Sequence, residues 1–276
     1  MSGKVKDTVK IYFPEEIESA ARINRMSTVV RSEDGVFTEN IHWADTEFVD
    51  IFNLVPVKGD LKIAMSDNSS LAVNESFAQK YFGEEDPIGQ TLELTVYGFK
   101  RDFQVGAVFK DLPHNTTLNF QALAMVDETD FANFPWEFGS WYSANGWLYL
   151  KLKDGVSMER INAQLPSYVN ANMTVPSDIS TEPGVTATDY WNFRLQPLTD
   201  IQLKAEGRGL MKPAGDEVKV MAFITIAGLI LLVACINFIN LSTAKATQRA
   251  REVALRKVLG AHRGQLIMQY IGEAML

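Results

Sequence analysis

Val220–Ala244 reads VMAFITIAGLILLVACINFINLSTA, 25 residues without a formal charge, and the chain runs straight on into KATQRAREVALRKVLGAHRG, Lys245–Gly264. At ~1.5 Å per residue, a helix over the apolar block is roughly 37 Å long, enough to cross a hydrocarbon core of ~30 Å with some tilt. A buried helix of a globular domain rarely stays charge-free for so long. The block therefore reads as a transmembrane helix over 220–244, which leaves most of the chain on one side of a membrane.

The flanks indicate which side. Lys245, Arg249, Arg251, Arg256, Lys257 and Arg263 follow the span and face one acid, Glu252. Before the span, Lys204, Arg208, Lys212 and Lys219 are mixed with Asp200, Glu206, Asp216 and Glu217. Lys and Arg near a span favour the cytoplasmic side. The expected arrangement is residues 1–217 outside and residues 245–276 in the cytoplasm. Residues 218–276 carry seven Lys and Arg against two Asp and Glu, while residues 1–217 carry 19 against 32. An acidic extracytoplasmic domain argues against nucleic-acid binding.

Some 217 residues suffice for one large core or two smaller ones. The single cysteine, Cys235, lies inside the span, so the extracytoplasmic part has no disulfide. His42, His114 and His262 are far apart and no Cys/His cluster occurs, so no metal site is expected. The chain contains no G-x-x-x-x-G-K-[ST] loop, and P-loop ATP binding is not expected of it. No cofactor is expected. MSGKVKDTVK has charge but no apolar stretch behind it. The expectation is that an upstream membrane segment is missing. Gln265–Leu276 becomes apolar like the approach to another helix.

Along the extracytoplasmic part, Pro14-Glu-Glu-Ile-Glu has the proline and acids of a helix start. Ser70–Asn74 ends a strand-like stretch, and Glu75–Phe82 reads as a short helix stopped by Gly83. Asp86-Pro-Ile-Gly is a turn. Thr91–Tyr97 and Phe103–Phe109 alternate with period two, as strands do. The aromatic stretch Phe131–Trp147 suits a core under a long loop, with a binding surface as the alternative. Trp147–Leu152 reads as a strand and Asp154-Gly155 as a turn. Ser157 caps a helix carrying Ile161, Leu165 and Val169 on one side. After a polar stretch with Pro176, Pro183 and Gly184, Asn192–Leu198 reads as a further strand. The predicted class is α+β, with a strand–helix–strand unit and a mainly β middle.

Three stretches together carry a family likeness: Asn74–Leu92 (NESFAQKYFGEEDPIGQTL), Val105–Pro113 (VGAVFKDLP), and Ala234–Ala244 (ACINFINLSTA) followed by Arg251–Ala261 (REVALRKVLGA). With these the chain resembles the MacB/FtsX-like ABC transporter permeases over nearly its whole length. The resemblance implies an extracytoplasmic MacB-like core domain at 1–217. Within it, a βαβ porter-like part would combine about 1–35 with 145–217, and a mainly β subdomain would be inserted at about 36–130. The span at 220–244 would be the second of four, the other three lying outside this sequence.

The resemblance also implies a function. Such permeases transmit ATP-driven motion across the bacterial inner membrane to export or extract a periplasmic substrate of the antimicrobial, peptide or lipoprotein class. The expected partners are an ABC ATPase in the cytoplasm, a second permease copy or homologue, and a periplasmic adaptor or substrate protein. No catalysis by this chain is expected. A membrane-anchored extracytoplasmic sensor or binding module is the alternative. An ectoenzyme has little to stand on, because no G-x-S-x-G or comparable nucleophile motif is present.

In the basic segment, Arg249, Glu252 and Arg256 share a helix face, and Glu252 to Arg256 is the favourable i,i+4 order, worth ~0.2–0.5 kcal/mol. By resemblance this is the helix that couples to the ATPase, formed by Arg249, Arg251, Glu252, Arg256 and Lys257 and ended by Gly260 and Ala261. The same residues also suit a helix on anionic lipid, at ~1 kcal/mol per basic residue. Asn237 and Asn240, three apart in the span, suit interhelical hydrogen bonds, with a polar translocation path as the alternative.

Overall fold

The computed structural model describes residues 3–32, 35–141, 146–175, 184–204, 209–213 and 215–275. Contacts divide the chain into Met1–Ala214 and Gly215–Leu276. The first unit runs through α1 (Val5–Tyr12), β1 (Ile17–Ser32), β2 (Gly35–Ala44), α2 (Phe48–Ile51), β3 (Pro56–Gly59), α3 (Leu61–Ala64), β4 (Ser70–Asn74), α4 (Glu75–Phe82), β5 (Thr91–Val96) and β6 (Phe99–Phe109). It continues with β7 (Ala122–Met125), α5 (Pro135–Phe138), β8 (Gly146–Leu152), α6 (Met158–Asn172) and α7 (Ile201–Lys204). The second unit consists of α8 (Glu217–Val258) and α9 (Arg263–Met275).

Strand β1 organises the first unit. Its 16 residues pair antiparallel with β2 through Ile23–Ser32, with β5 through Val29–Arg31, and with β8 through Ile17–Asn24. The sheet order β2-β7-β4-β6-β5-β1-β8, together with the β1–β2 pairing, closes six strands into a ring. β8 extends from the first half of β1, and β3 is added on β6. The β4–β6 and β2–β7 pairs are parallel, so the sheet is mixed.

Alternation along the strands feeds two cores. Leu71 and Val73 of β4 enter one, with Phe103, Val105, Leu92, Leu94 and Trp43, while Ala72 between them enters the other, with Ile23, Phe48, Met65 and Phe109. Period-two side-chain direction makes this division. Helix α4 supplies Phe77 and Tyr81 to the first core. The Asn74 side chain caps its N-terminus, accepting from Phe77 N–H at 2.9 Å, and Gly83 at φ 57° ends it.

A third core joins α1, β8 and α6. Val5, Val9, Phe13 and Ile17 meet Ile161, Leu165, Tyr168 and Val169, with Leu148, Leu150 and Leu152 of β8 packed against them. The Ser157 cap is present, its Oγ accepting from Arg160 N–H at 3.4 Å. The aromatic stretch is mainly core, with Phe131 and Phe138 buried, although Trp136 is exposed. Its residues 142–145 lie outside the described residues, as does most of the polar stretch, including Pro176 and Pro183.

Two expectations are corrected. The helix near Pro14 lies earlier, at Val5–Tyr12, and the chain is already in strand β1 at Ile17. Val5 and Val9, four apart, give the helix its buried side, whereas Pro14-Glu-Glu sits in the turn after it. Asn192–Leu198 does not join the sheet. It docks on α6 instead: Leu195 N–H donates to Asn162 Oδ1 at 2.7 Å, and Asn162 Nδ2 donates to the Leu195 carbonyl at 3.1 Å. One side-chain amide thus satisfies the backbone groups that a neighbouring strand would otherwise pair.

Candidate functional site

Helix α8 starts at Asp216, whose carboxylate accepts from Val218 N–H at 3.0 Å and Lys219 N–H at 3.2 Å. These two bonds satisfy first-turn donors and place negative charge at the positive end of the helix. Its apolar window has a mean hydropathy of 2.6 and none of it is buried within the chain. Phe223, Leu231 and Phe238 are 72%, 66% and 70% exposed. A helix that is apolar all round and uncovered by its own chain has lipid or other spans as its solvent. This is the one described helix long and apolar enough to cross a membrane.

Polar groups within α8 fall into two kinds. Thr225 Oγ1 donates to the Met221 carbonyl at 2.9 Å and Thr243 Oγ1 to the Ile239 carbonyl at 2.8 Å, so both hydroxyls are satisfied inside the helix. Asn237 and Asn240 have no hydrogen-bond partner among the described residues and share one exposed side. Neither amide folds back on its own helix as the two threonine hydroxyls do, so each is left to pair with a donor or acceptor from elsewhere.

Where the sequence suggested a span followed by a separate basic helix, α8 is continuous over 42 residues, roughly 63 Å of helix. No Pro or Gly occurs between Leu229 and Leu259 to break it. Arg249, Arg251, Arg256 and Lys257 therefore stand on the same rod as the apolar block, as does the backbone of Glu252. The Glu252 side chain lies outside the described residues. Leu255, Val258 and Leu259 are 66%, 87% and 78% exposed among these charges.

The rod ends sharply. Gly260, at φ 89°, donates its N–H to the Lys257 carbonyl at 3.2 Å, and Ala261 N–H reaches back to the Arg256 carbonyl at 3.0 Å. This pair of bonds is a Schellman stop, and the left-handed position within it favours glycine. Helix α9 then turns back far enough for Arg256 Nη1 to donate to Gln269 Oε1 at 3.1 Å.

One buried charged cluster in the first unit had no signal in the sequence. Arg22 on β1 donates to Asp45 through Nε at 3.0 Å and Nη2 at 2.9 Å, and its backbone N–H reaches the same carboxylate at 2.6 Å. Nη1 donates to Glu128 at 2.8 Å and to the Gly3 carbonyl at 3.1 Å. Lys6 of α1 lies 3.0 Å from Asp45 and 3.2 Å from Glu47. Burial alone would raise the Asp45 carboxyl, but the Arg22 hydrogen bonds and charge, with Lys6, outweigh it and hold it below its ordinary value. The cluster ties α1 to the β1–β2 pair and to the turn at Glu128. Only the 23-residue separation of Arg22 and Asp45 is visible in sequence. Among the described residues no group of His, Cys, Asp and Glu could hold a metal ion.

Comparison with known proteins follows this division of the chain. The MacB-like periplasmic core domain profile matches residues 3–168, and the FtsX-like permease C-terminal profile matches residues 224–276. A macrolide export ATP-binding/permease protein MacB from Bdellovibrio bacteriovorus is 22% identical over 209 residues, 74% of this chain and 28% of its own length. The protein of the same name from Aggregatibacter actinomycetemcomitans is 21% identical over 278 residues, 99% of this chain and 38% of its own length. The chain thus spans well under half of these curated relatives. A solved domain of a permease protein from Porphyromonas gingivalis is 25% identical, with a TM-score of 0.50, covering 62% of this chain and 71% of that one. With an α+β domain matched across residues 3–168 and most of the apolar helix within the second match, this chain belongs to the MacB/FtsX-like family of ABC transporter permeases.

Proposed function

We propose that this chain transmits ATP-driven conformational change across the bacterial inner membrane to an extracytoplasmic domain, which acts on a periplasmic substrate of the antimicrobial, peptide or lipoprotein class. The observation that carries this is α8: one unbroken helix bears both the apolar span and the cationic foot. A rigid rod converts a push at one end into displacement at the other, whereas a flexible joint at Lys245 would absorb it. In this proposal residues 1–217 are periplasmic and those after 244 cytoplasmic, in line with the excess of Lys and Arg after the span.

The foot is the docking surface for an ABC ATPase. Arg249, Arg251, Arg256 and Lys257 supply charge, Leu255, Val258 and Leu259 supply uncovered apolar area, and the Gly260-Ala261 stop fixes where the surface ends. The relatives above are named as ATP-binding and permease proteins together; for this chain we assign ATP hydrolysis to a separate subunit. Asn237 and Asn240 face a further span or a second permease copy. The division into a porter-like part (about 1–35 and 145–217) and an inserted β subdomain (about 36–130) is supported by the third core, which draws on residues 5–17 and 148–195, with Trp141 packed against it. The other two cores draw mainly on residues 21–126.

Co-purification in mild detergent from the native host tests the proposal. An ABC ATPase should be retained by the native protein and lost with Glu252→Lys/Arg256→Glu. Absence of any ATPase would favour the anchored sensor or binding module instead.

A further inference from the structure

A cavity of about 190 Å³ opens beside β1 and β2, lined by Arg25, Glu39, His42, Phe120, Trp147 and Met211 among others. A cavity of ~150 Å³ is enough to hold a benzene ring. His42 faces Arg25 across the β1–β2 ladder. It is 2% exposed, and among the described residues neither ring nitrogen makes a well-formed hydrogen bond, although the Asn40 backbone lies close enough to act weakly on the ring. Its ring lies 6.4 Å from that of Trp147, with planes 28° apart, and 5.9 Å from that of Phe120. A buried imidazole that lines an open cavity with no well-formed hydrogen bond at either nitrogen is an unfilled polar position.

The charges around the cavity select the ligand. Glu39 is already engaged by Lys80 and accepts from the Tyr81 hydroxyl at 2.8 Å. Arg25 is exposed and makes no ion pair or hydrogen bond among the described residues. The uncompensated charge at the cavity is therefore positive. Burial outweighs the opposing influence of the Asn40 backbone and, with the Arg25 charge adding to it, pushes the His42 imidazolium down to about 4. The ring is neutral near pH 7 and offers one donor and one acceptor. A guanidinium fork matches a planar carboxylate, and flanking aromatic rings match a flat apolar body.

We propose that this cavity binds a small planar carboxylate, with Arg25 as its cation, His42 as the buried hydrogen-bonding anchor, and Phe120 and Trp147 as its apolar walls. The amides of Asn119 and Gln121 at the rim add donors for the second carboxylate oxygen. Met211, which supplies a further wall, belongs to a short segment fastened to the same unit. Trp147 Nε1 donates to the Gly209 carbonyl, and Lys212 Nζ donates to the Thr116 carbonyl at 2.9 Å. In sequence that segment leads within six residues to Glu217, the first residue of α8. A ligand that fills the cavity thus bears on the stretch of chain just before the span.

The test is a titration of the whole 276-residue chain in detergent, with histidines isotopically labelled. Three imidazoles are present, and the exposed His114 and His262 are assigned by substitution to Gln, which leaves His42 by elimination. Sodium benzoate, benzamide and inorganic phosphate are the titrants, at pH 7 and fixed ionic strength. Benzoate should shift His42 saturably without moving the other two, and benzamide and phosphate should bind at least tenfold more weakly. Arg25→Gln, at an exposed strand position, should weaken benzoate at least tenfold while the native spectrum persists. Lack of a saturable His42 shift overturns the proposal. So does benzamide or phosphate matching benzoate, or benzoate binding that ignores Arg25→Gln.

Discussion

In the first unit Leu71, Val73, Phe103 and Val105 are fully buried, whereas along α8 Phe223, Leu231 and Phe238 are two-thirds or more exposed. Polar groups follow the same contrast. Arg22 is enclosed by Asp45, Glu128 and the Gly3 carbonyl, while Asn237 and Asn240 find no partner among the described residues. The first unit meets most of its demands for burial and hydrogen bonding from its own chain, with the His42 ring among the exceptions. The second leaves its apolar surface and these amides uncovered by its own chain, and in the proposed function lipid, further spans and a cytoplasmic partner complete it. Substitutions in the first should therefore register as lost stability, and those in the second as lost insertion or lost association.

The largest effect is expected at the buried charge cluster. Arg22→Ala leaves Asp45 buried beside Lys6 alone and should cost about 3–5 kcal/mol, read as a shift in the denaturant midpoint of the extracytoplasmic signal. A shift under 1 kcal/mol would mean that water already reaches the cluster. Leu231→Lys, near the middle of the span, should cost about 3 kcal/mol of insertion and leave the extracytoplasmic midpoint in place. Alkaline extraction of membranes reads this as chain released to the soluble fraction.

Acid should weaken the first unit through His42. Its folded value of about 4 lies below the 6.5 of a free imidazole, so the unfolded chain takes up the proton first. This contribution is complete above about pH 6.5 and declines as pH falls toward 4. Between pH 7 and pH 5 it should remove about 2 kcal/mol, and His42→Gln should flatten that part of the pH profile. Asp45 acts lower on the scale: its pairing contributes above the ordinary carboxylate value of about 3.9 and is lost as pH falls through its depressed folded value. Asn74→Ala removes the cap of α4 and should cost about 1 kcal/mol. Smallest of all, Arg256→Glu should move the extracytoplasmic midpoint by less than about 0.5 kcal/mol while abolishing ATPase retention.

What could be read from sequence was local. The 25-residue uncharged block, the period-two runs at 91–97 and 103–109, the β4–α4 junction at Asn74 and the Ser157 cap are all carried by neighbours a few positions apart. Strand β1 was hidden because Ala20–Asn24 are buried without a break, so no alternation marks its first half. Pro14-Glu-Glu carried a helix start's chemistry without the spaced apolar residues that hold a helix against a core, and Val5 and Val9 had them. The Arg22–Asp45 pair is a product of the β1–β2 pairing, and the His42 cavity depends also on β8, which brings Trp147 to β1 from more than a hundred residues away. In the foot, charge spacing showed only that Arg249, Glu252 and Arg256 share a helix face, and the expectation that this face docks a partner came from the family resemblance. That they lie on the same rod as the span followed only from the absence of a break.

The most direct measurement labels single cysteines from each side of the membrane. Cys235 is the chain's only cysteine, so Cys235→Ala gives a clean background for Glu85→Cys in the first unit and Lys257→Cys in the foot. With a membrane-impermeant thiol reagent on spheroplasts, Glu85→Cys should label at once and Lys257→Cys only after lysis. Labelling of both from the same side would show that α8 does not carry the chain across the membrane and would contradict the account.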